Sequence, residues 1–546
     1  MPLDAVHSVF ISCSSCLPSK FGLRLLAPDI LSLRIMELPG DSLLGPPLSA
    51  DLARGHKEAD AAAEILVADH VERGKKDDLA QVLDEAPLSR FHRKAVVVSG
   101  MGFFTDAYDL FVISTVAALV SSEWHLSTAE TSWVSGAAVL GAFIGAVIFG
   151  RLADRFGRKK VYALVATVMV AGALFSALAP NVLILVLARL LLGLGVGGDY
   201  PVSAVLMSEY SNRRHRGRLV SMVFSMQALG LIVGPLIALA LLEAHVGHDL
   251  TWRLLLGLGA IPALSVIYFR TKMPESPRFQ AEVQGRAAKA AEEMAIFSEG
   301  SLPVPPSCRP GLVRPRVARE NRPRLTDIRM LKLVLGTAGA WFVFDYAYYG
   351  NTLSLPVILK GVDPGADVTA KLIWSLAMFV AFAVPGYAAA IWWMDRIGHR
   401  RLQSLGFGAL VLAFFALSVV PALTTSIGAF IAVFGLSYFF VEFGPNTTTF
   451  VLPSEVFPVY SRTTGHGVAA GLGKLGAFVG VFLVPALDAR FGLRPMLAIA
   501  AVAAGLGLLL TRLLPEPAQR TLRQVAAHSQ RVEPFVALED EAERVA

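Results

Sequence analysis

Twelve apolar segments follow one another along the 546-residue chain, and each has about the 20 residues that an α-helix needs to cross a bilayer. They lie at residues 94–121, 130–150, 161–179, 182–204, 219–243, 253–271, 332–359, 369–394, 403–422, 425–447, 465–487 and 494–513. Charged residues make up only 17% of the chain, against about 25% in soluble domains. The pattern therefore predicts an all-α membrane protein with twelve transmembrane helices.

A polar stretch rich in proline, arginine and glutamate divides these segments into six and six. Residues 1–35 lack the pattern of a signal peptide, so Met36 is a candidate for the true start of translation. We expect five regions: a cytoplasmic N-terminal extension at 1–88, a six-helix bundle at 89–271, a cytoplasmic central loop at 272–331, a second six-helix bundle at 332–514 and a cytoplasmic tail at 515–546.

Basic residues cluster in the loops on one side of the predicted membrane. Loop 151–160 carries five Lys or Arg and loop 213–218 carries four, whereas loops 122–129 and 244–252 carry none. The positive-inside rule then places both termini and the central loop in the cytoplasm. This bias accounts for the net charge of +6 without nucleic acid as a partner. The three cysteines lie outside the apolar segments and lack a second ligand pair, so we predict no metal and no cofactor.

The two halves of the chain repeat each other. Three short patterns of the first half recur 241 or 246 residues later in the second half. Parallel repeats of six helices predict two bundles related by a pseudo-twofold axis, with the substrate site between them near the midplane. The paired patterns are Asp154-Arg155-x-Gly157 with Asp395-Arg396-x-Gly398, Ser208-Glu209 and Arg216 with Ser454-Glu455 and Arg462, and Pro274-Glu275 with Pro515-Glu516.

Ionisable residues interrupt several of the apolar segments. Such a residue in hydrocarbon costs about 2.5 kcal/mol or more, so its default interpretation is functional. Several membrane acids favour proton-coupled transport, and Lys474 could pair with Asp345 when the site is empty, which would link substrate and proton binding. The sequence does not rank Asp106 against Asp109. The candidate proton-coupling residues are Asp106, Asp109, Asp199, Asp345 and Lys474.

Two sets of motifs carry a resemblance to known families. The run 150–159, with its degenerate repeat at 394–400, resembles the loop signature of the major facilitator superfamily. Within that superfamily, the chain resembles the phosphate:proton symporter family over about residues 80–522. The residues that carry this second resemblance are Gly197-Gly-Asp-Tyr-Pro201, Trp341, Asp345, Tyr349 and Phe443-Gly-Pro-Asn446-Thr-Thr-Thr449.

The resemblance implies proton-coupled uptake of inorganic phosphate by alternating access in a plasma or inner membrane, with phosphate, protons and the bilayer as partners. It implies that Asp106 or Asp109, with Asp199, handles protons, and that Lys474 matches the lysine of the eleventh helix. One departure is Glu442, which stands where the family commonly has asparagine. The implied phosphate ligands are Tyr200, Gln227, Trp341, Asp345, Tyr349 and Asn446.

Elementary chemistry supports phosphate as the ligand. Trp341, Asp345 and Tyr349 are four residues apart and share one helix face. A carboxylate next to an anion requires a shared proton, and near neutral pH phosphate retains P–OH groups that can donate to Asp345. Fully ionised sulfate has no such donor, so an acceptor in the site would select against it.

A further set of charged residues lies at predicted cytoplasmic helix ends, where ion pairs would close an inner gate. We interpret His466, near the cytoplasmic end of the eleventh helix, as a solvated residue and Phe103 as a packing residue. The predicted gate residues are Asp154, Arg155, Arg158, Glu209, Arg216, Asp395, Arg396, Glu455 and Arg462.

Two other functions remain open. A proton-linked carrier of aromatic acids or organic phosphates could share the fold, although it would not need the six implied phosphate ligands together. A phosphate sensor that does not transport would usually add a signalling domain, and the polar segments look too short for one. An enzyme is disfavoured because the sequence has no nucleophile–base set and no metal spacing, and its glycine-rich run lies inside an apolar segment.

Overall fold

In a computed structural model, the chain forms twelve long apolar helices. The structure describes residues 79–298, 324–353 and 368–527, with the single residues Gly300, Leu355 and Gly365, and all of these belong to one compact unit, Gly74–Ala546. The helices are α1 Arg90–Glu123, α2 Ala129–Phe156, α3 Arg158–Ala177, α4 Val182–Tyr210, α5 Arg216–Glu243, α6 His248–Lys272, α7 Ile328–Thr352, α8 Leu372–Ile397, α9 His399–Val419, α10 Ile427–Val456, α11 Arg462–Phe491 and α12 Leu493–Thr511.

The predicted all-α fold with twelve membrane helices is confirmed, and the described residues contain no β-strand. Short helices at Leu79–Glu85, Pro277–Glu282, Ala287–Ser298 and Leu522–Ala527 accompany the long ones. The predictions for the three cysteines and for a start at Met36 lie outside the described residues.

Five of the long helices are irregular in the described residues, among them α6, which is interrupted at Gly259. Helices α7 and α8 each contain one π-helical turn, at Leu335–Gly339 and at Phe379–Ala383. Helix α5 is interrupted after Ser225 and resumes at Gln227, and α10 is interrupted at Gly444 and resumes at Pro445. Proline has no N–H group to donate, so it suits the first position of a new helical segment. Irregular backbone in a membrane protein is tolerated where it is buried in protein or lines a cavity.

Small residues bring the helices together. A side chain at Gly193 or Gly197 of α4 would collide with a backbone carbonyl of α2, and one at Gly476 of α11 would collide with a backbone carbonyl of α7. Helix α2 also contacts α11, with Gly150 and Gly467 facing each other. Small residues at membrane helix interfaces allow this close approach. The first and second halves therefore pack directly against each other through α2 and α11.

Candidate functional site

The first half contributes a buried polar cluster from three helices. The Tyr200 hydroxyl of α4 donates a hydrogen bond to Asp106 Oδ2 of α1 at 2.5 Å. Gln227, at the point where α5 resumes, donates from Nε2 to the Tyr200 hydroxyl at 3.1 Å and to Asp106 Oδ2 at 3.3 Å. All three side chains are buried. The interruption of α5 thus places the Gln227 amide next to both of these polar groups.

The second half contributes a matching cluster. Asn446, in the first turn after the interruption of α10, donates from Nδ2 to Glu442 Oε2 at 2.6 Å and to the Tyr387 hydroxyl of α8 at 3.2 Å. The Tyr348 hydroxyl of α7 donates to Glu442 Oε1 at 3.1 Å. These four side chains are also buried.

One hydrogen bond joins the two clusters. The Tyr387 hydroxyl donates to Gln227 Oε1 at 3.2 Å, which connects α8 of the second half to α5 of the first. A continuous chain of side-chain hydrogen bonds therefore runs from Asp106 to Glu442. Tyr348 and Tyr387 could not be singled out from the sequence, because a tyrosine in an apolar segment is common.

Lys474 of α11 lies beside this chain. Its Nζ donates to the Tyr349 hydroxyl at 2.8 Å and lies 3.5 Å from Asp345 Oδ2. The ammonium also sits over the rings of Tyr200, at 4.6 Å, and Tyr349, at 4.3 Å. The ring of Trp341 lies 6.0 Å from that of Tyr200. All six predicted phosphate ligands thus meet around Lys474 and the hydrogen-bonded chain.

Several buried carboxylate oxygens near Lys474 can still accept hydrogen bonds. Oδ1 of Asp106 and both carboxylate oxygens of Asp345 are buried and accept no hydrogen bond of regular geometry from the described residues. Asp106, Asp109 and Lys474 also line one small enclosed cavity between α1, α2, α4 and α11. Buried polar atoms are normally paired, so these oxygens are suited to receive donors from a ligand or from water.

Asp109 and Asp199 each have an arginine partner inside the first half. Asp109 pairs with Arg189 of α4 at 2.5 Å, and Asp199 forms two bonds with Arg270 of α6, at 2.7 and 2.9 Å. The structure therefore places Asp199 in its own ion pair, apart from the hydrogen-bonded chain. Sequence reasoning missed both arginines, although a charged residue inside an apolar segment is the same signal that singled out the aspartates.

Buried ion pairs lie at one end of the bundle, which carries loops 151–160 and 213–218 and is called the basic-loop end below. Glu209 of α4 accepts a bond from Arg462 of α11 at 2.9 Å and lies 3.5 Å from Arg158. Asp154 of α2 pairs with Arg158 at 3.0 Å and accepts the backbone N–H of Thr464 at 2.6 Å. The bonds to Arg462 and Thr464 tie the first half to the second.

A related set of contacts repeats on the opposite side of the pseudo-twofold axis. Asp395 of α8 accepts the backbone N–H groups of Gly217, at 3.0 Å, and Arg218, at 2.9 Å. Arg216 lies 4.0 Å from Glu455 and forms a closer pair, at 2.8 Å, with Asp84 of the short helix Leu79–Glu85.

Two predicted gate residues do not join the ion pairs of the basic-loop end. Arg155 and Arg396 are exposed beside Phe156 and Trp392, and the structure does not bring them into the ion-pair network. They follow Asp154 and Asp395 by one residue, which turns their side chains outward on the helix.

The interpretation of His466 as a solvated residue is wrong. Its side chain is fully buried, and Nε2 lies 3.0 Å from the carbonyl oxygen of Phe450. Its ring packs edge-on against Trp341, because this face of α11 turns toward α7 and α10. Phe103 is a packing residue, as predicted, with its ring 5.1 Å from that of Tyr200.

No group of three or more His, Cys, Asp or Glu residues in the described part of the chain is arranged to hold a metal ion. In the described residues, twelve membrane helices in two halves bury polar side chains where the halves meet, and together with the family match this arrangement defines a multi-pass membrane transporter. The profile of the sugar (and other) transporter family matches residues 94–528, and the chain belongs to that family.

Similar proteins agree with this assignment. The chain is 35% identical to a probable inorganic phosphate transporter 1-6 of Arabidopsis thaliana, over 84% of this chain and 97% of the relative. It is 32% identical to a repressible high-affinity phosphate permease of Neurospora crassa, over 82% of this chain and 88% of the relative. The resemblance predicted from the motifs is thereby confirmed, and the chain is a transporter and not an enzyme.

Solved structures support the fold. A structure of the proton:xylose symporter XylE bound to 6-bromo-6-deoxy-D-glucose matches with a TM-score of 0.68 and 20% identity, over 80% of this chain and 99% of that one. A partially occluded inward-open structure of XylE from E. coli matches with a TM-score of 0.58 and 19% identity, over 78% of this chain and 99% of that one.

Proposed function

We propose that this protein carries inorganic phosphate together with protons across a membrane by alternating access. The relatives named as phosphate transporters support the substrate. The observation that carries the proposal is the buried site itself, where one ammonium, at Lys474, lies 3.5 Å from Asp345 Oδ2, beside buried carboxylate oxygens that accept no hydrogen bond of regular geometry from the described residues. The proposed ligands are the six residues Tyr200, Gln227, Trp341, Asp345, Tyr349 and Asn446.

The unused acceptors suit a phosphate that still carries hydrogen. Near neutral pH, with a second pKa of about 6 for phosphoesters, a phosphate group retains P–OH donors for part of the time. Those donors could bond the free oxygens of Asp345, while the Lys474 ammonium and the amide N–H groups of Gln227 and Asn446 face the P–O oxygens. An anion without a hydroxyl would offer Asp345 no further donor and would only repel its buried negative charge.

The charges of the site favour proton coupling. Asp106 and Asp345 together carry two negative charges when ionised, and Lys474 supplies one positive charge. An incoming anion would add to this excess in a poorly solvated space, which is costly. A proton that binds with the anion removes the excess, so the two ligands increase each other's affinity.

Two further acids, Asp109 and Asp199, differ in their proposed part in proton coupling. Asp109 lines the same small cavity and belongs to the proposed proton pathway. For Asp199 to take part, it would first have to leave Arg270, which holds both of its oxygens.

The ion pairs of the basic-loop end are the proposed inner gate. They connect the halves through Glu209 and Arg462 and through Asp395 and the start of α5. The positive-inside rule would place this end in the cytoplasm, with both termini, in a plasma or inner membrane. Their separation would open the site to that side. We leave Arg155 and Arg396 out of the proposed gate because both are exposed.

The test is uptake of radiolabelled phosphate into proteoliposomes under an imposed pH gradient, with sulfate and benzoate as competitors. We expect phosphate to accumulate, and neither competitor to reduce its uptake. Asp345→Asn should abolish accumulation, because the amide cannot exchange a proton. The matched control is Asp249→Asn, an exposed aspartate that pairs with Arg253 at 2.8 Å near the start of α6, and it should behave like the wild type.

Two outcomes would overturn the proposal. Accumulation of benzoate in place of phosphate would indicate a carrier of organic anions. Gradient-driven accumulation of phosphate by Asp345→Asn would show that this carboxylate does not couple the proton.

A further inference from the structure

Glu442 is a buried carboxyl that the proposed site does not yet use. It lies in the last turn of α10 before the interruption at Gly444, and its side chain is 0% exposed. Its Oε1 accepts a hydrogen bond from Tyr348 of α7, and its Oε2 accepts one from Asn446 of its own helix. The carboxyl therefore lies inside the polar chain that joins the two halves of the protein.

The partners of Glu442 are all neutral. The titratable groups that face it are the hydroxyls of Tyr348 on α7, Tyr387 on α8 and Tyr438 on its own helix. Along the chain of side-chain hydrogen bonds, the next acid is Asp106, which is reached through Tyr387 and then Gln227. Among the described residues, no Lys, Arg or His nitrogen lies within ion-pair distance of Glu442, whereas Asp109, Asp199 and Asp345 each have a cation.

A fully buried carboxylate without a cation is strongly disfavoured, since desolvation of an isolated charge costs several kcal/mol and the group normally stays neutral instead. The neighbouring hydrogen bonds offset only part of that cost. Approach of an anion to the chamber, that is, to the buried site around Lys474 and the hydrogen-bonded chain, increases this desolvation penalty further. Geometry thus makes Glu442 the acid in this site that most needs a proton when the anion is bound.

A second consequence concerns Asn446. Its amide has two N–H donors, and the structure directs them to Glu442 and to Tyr387. A charged carboxylate accepts a hydrogen bond roughly twice as strongly as a neutral one. A proton on Glu442 would therefore weaken its hold on Asn446 and free an N–H group for the anion.

We propose that Glu442 is a second proton-carrying residue of the transport cycle, and that its proton releases Asn446 to bind the phosphate. The inference rests on the proposed phosphate and proton transport. It assigns two tasks to one proton, since the proton neutralises the buried charge and makes a ligand donor available. Substrate affinity and protonation of Glu442 are then linked in both directions.

The test is the proton-to-phosphate coupling ratio, measured from reversal potentials in proteoliposomes. We expect Glu442→Gln to lower the ratio by one proton per phosphate, which at a pH gradient of one unit reduces maximal accumulation about tenfold. Glu442→Asp, which keeps a titratable group, should keep the wild-type ratio. Phosphate counterflow without a gradient should continue in both variants, because exchange needs no net proton movement. Glu243→Gln, an exposed glutamate at the end of α5, is the matched control.

The outcomes separate the two proposals. An unchanged coupling ratio in Glu442→Gln would overturn this inference and leave the proposed transport intact. Loss of the proton in both the Gln and the Asp variants would mean that Glu442 has only a structural role. If Glu442→Gln does not fold, Glu442→Asn provides a second neutral side chain for the same measurement. Failure of the wild type to exchange phosphate at all would refute the proposed function itself.

Discussion

The Glu209→Gln substitution should open the basic-loop end of the protein. Glu209 is 0% exposed, and its Oε1 atom holds Arg462 of the other half at 2.9 Å and lies 3.5 Å from Arg158. Glutamine keeps the volume and one acceptor atom but removes the charge. Both arginines, which are also buried, then lose their common counter-charge.

The size of the effect follows from burial. Removal of one partner from a buried ion pair costs about 3–5 kcal/mol, and because glutamine still accepts one bond we use the lower value of about 3 kcal/mol. Only the closed arrangement bears this cost, since separation of α4 from α11 would let water reach the arginines. About 3 kcal/mol corresponds to a shift of more than about 100-fold in the ratio of closed to open protein.

The assay is a distance measurement by pulsed electron paramagnetic resonance. Spin labels at Lys160 and Arg401, two exposed positions on opposite halves of the basic-loop end, report the separation of the halves, after replacement of the three native cysteines. We expect longer distances in Glu209→Gln and an unchanged distribution in the control Glu243→Gln. A folded Glu209→Gln protein with the wild-type distribution would refute the reasoning that this ion pair keeps the end closed.

Three further predictions use matched substitutions. Arg158→Gln should lengthen the same distance, because its buried guanidinium donates to the Val459 carbonyl of the second half at 2.8 Å, whereas Arg155→Gln should not. Equal effects would contradict the distinction between buried and exposed arginines. Gly197→Ala should lower the melting temperature, because the added methyl group meets a backbone carbonyl of α2. Gly408→Ala in α9, where the added methyl group meets open space, should raise the stability by up to about 1 kcal/mol. A lower melting temperature for Gly408→Ala alone would contradict this. Asp84→Asn should speed proteolysis before α1, because it breaks two buried pairs at 2.8 Å, and an unchanged cleavage rate would contradict it.

The membrane helices were predictable because length and hydropathy alone determine them. The window 182–204, for example, lies wholly inside α4, which continues to Tyr210 because its last two turns are buried against other helices although they contain Ser208 and Glu209. Hydropathy detects only the part of a helix that is apolar. Helix ends that are polar but covered by protein are therefore missed.

The site was predictable in part. Its six proposed ligands and Lys474 came from the motifs, and the structure brings them together. Tyr387 could not be assigned from the sequence, because its role depends on a contact between the two halves. Glu442 stood out only as a departure from the family pattern, although it is a charge inside an apolar segment, and its hydrogen bond with Asn446 depends on the interruption of α10. Arg189 and Arg270 could have been found, since each is a charge inside an apolar segment, and they decide which aspartates are already neutralised.

These arginines explain why only a few residues determine the net charge of the chamber. Asp109 and Asp199 each have a buried guanidinium partner and add no net charge. Asp106, Asp345 and Glu442 remain, and the cation Lys474 lies 3.5 Å from Asp345 and lines one cavity with Asp106. With all four groups ionised, the chamber carries two excess negative charges before an anion arrives, which is strongly unfavourable in a buried space. An anion can therefore enter only with protons, and the same proton count predicts that replacement of Glu442 by glutamine lowers the coupling ratio without loss of exchange.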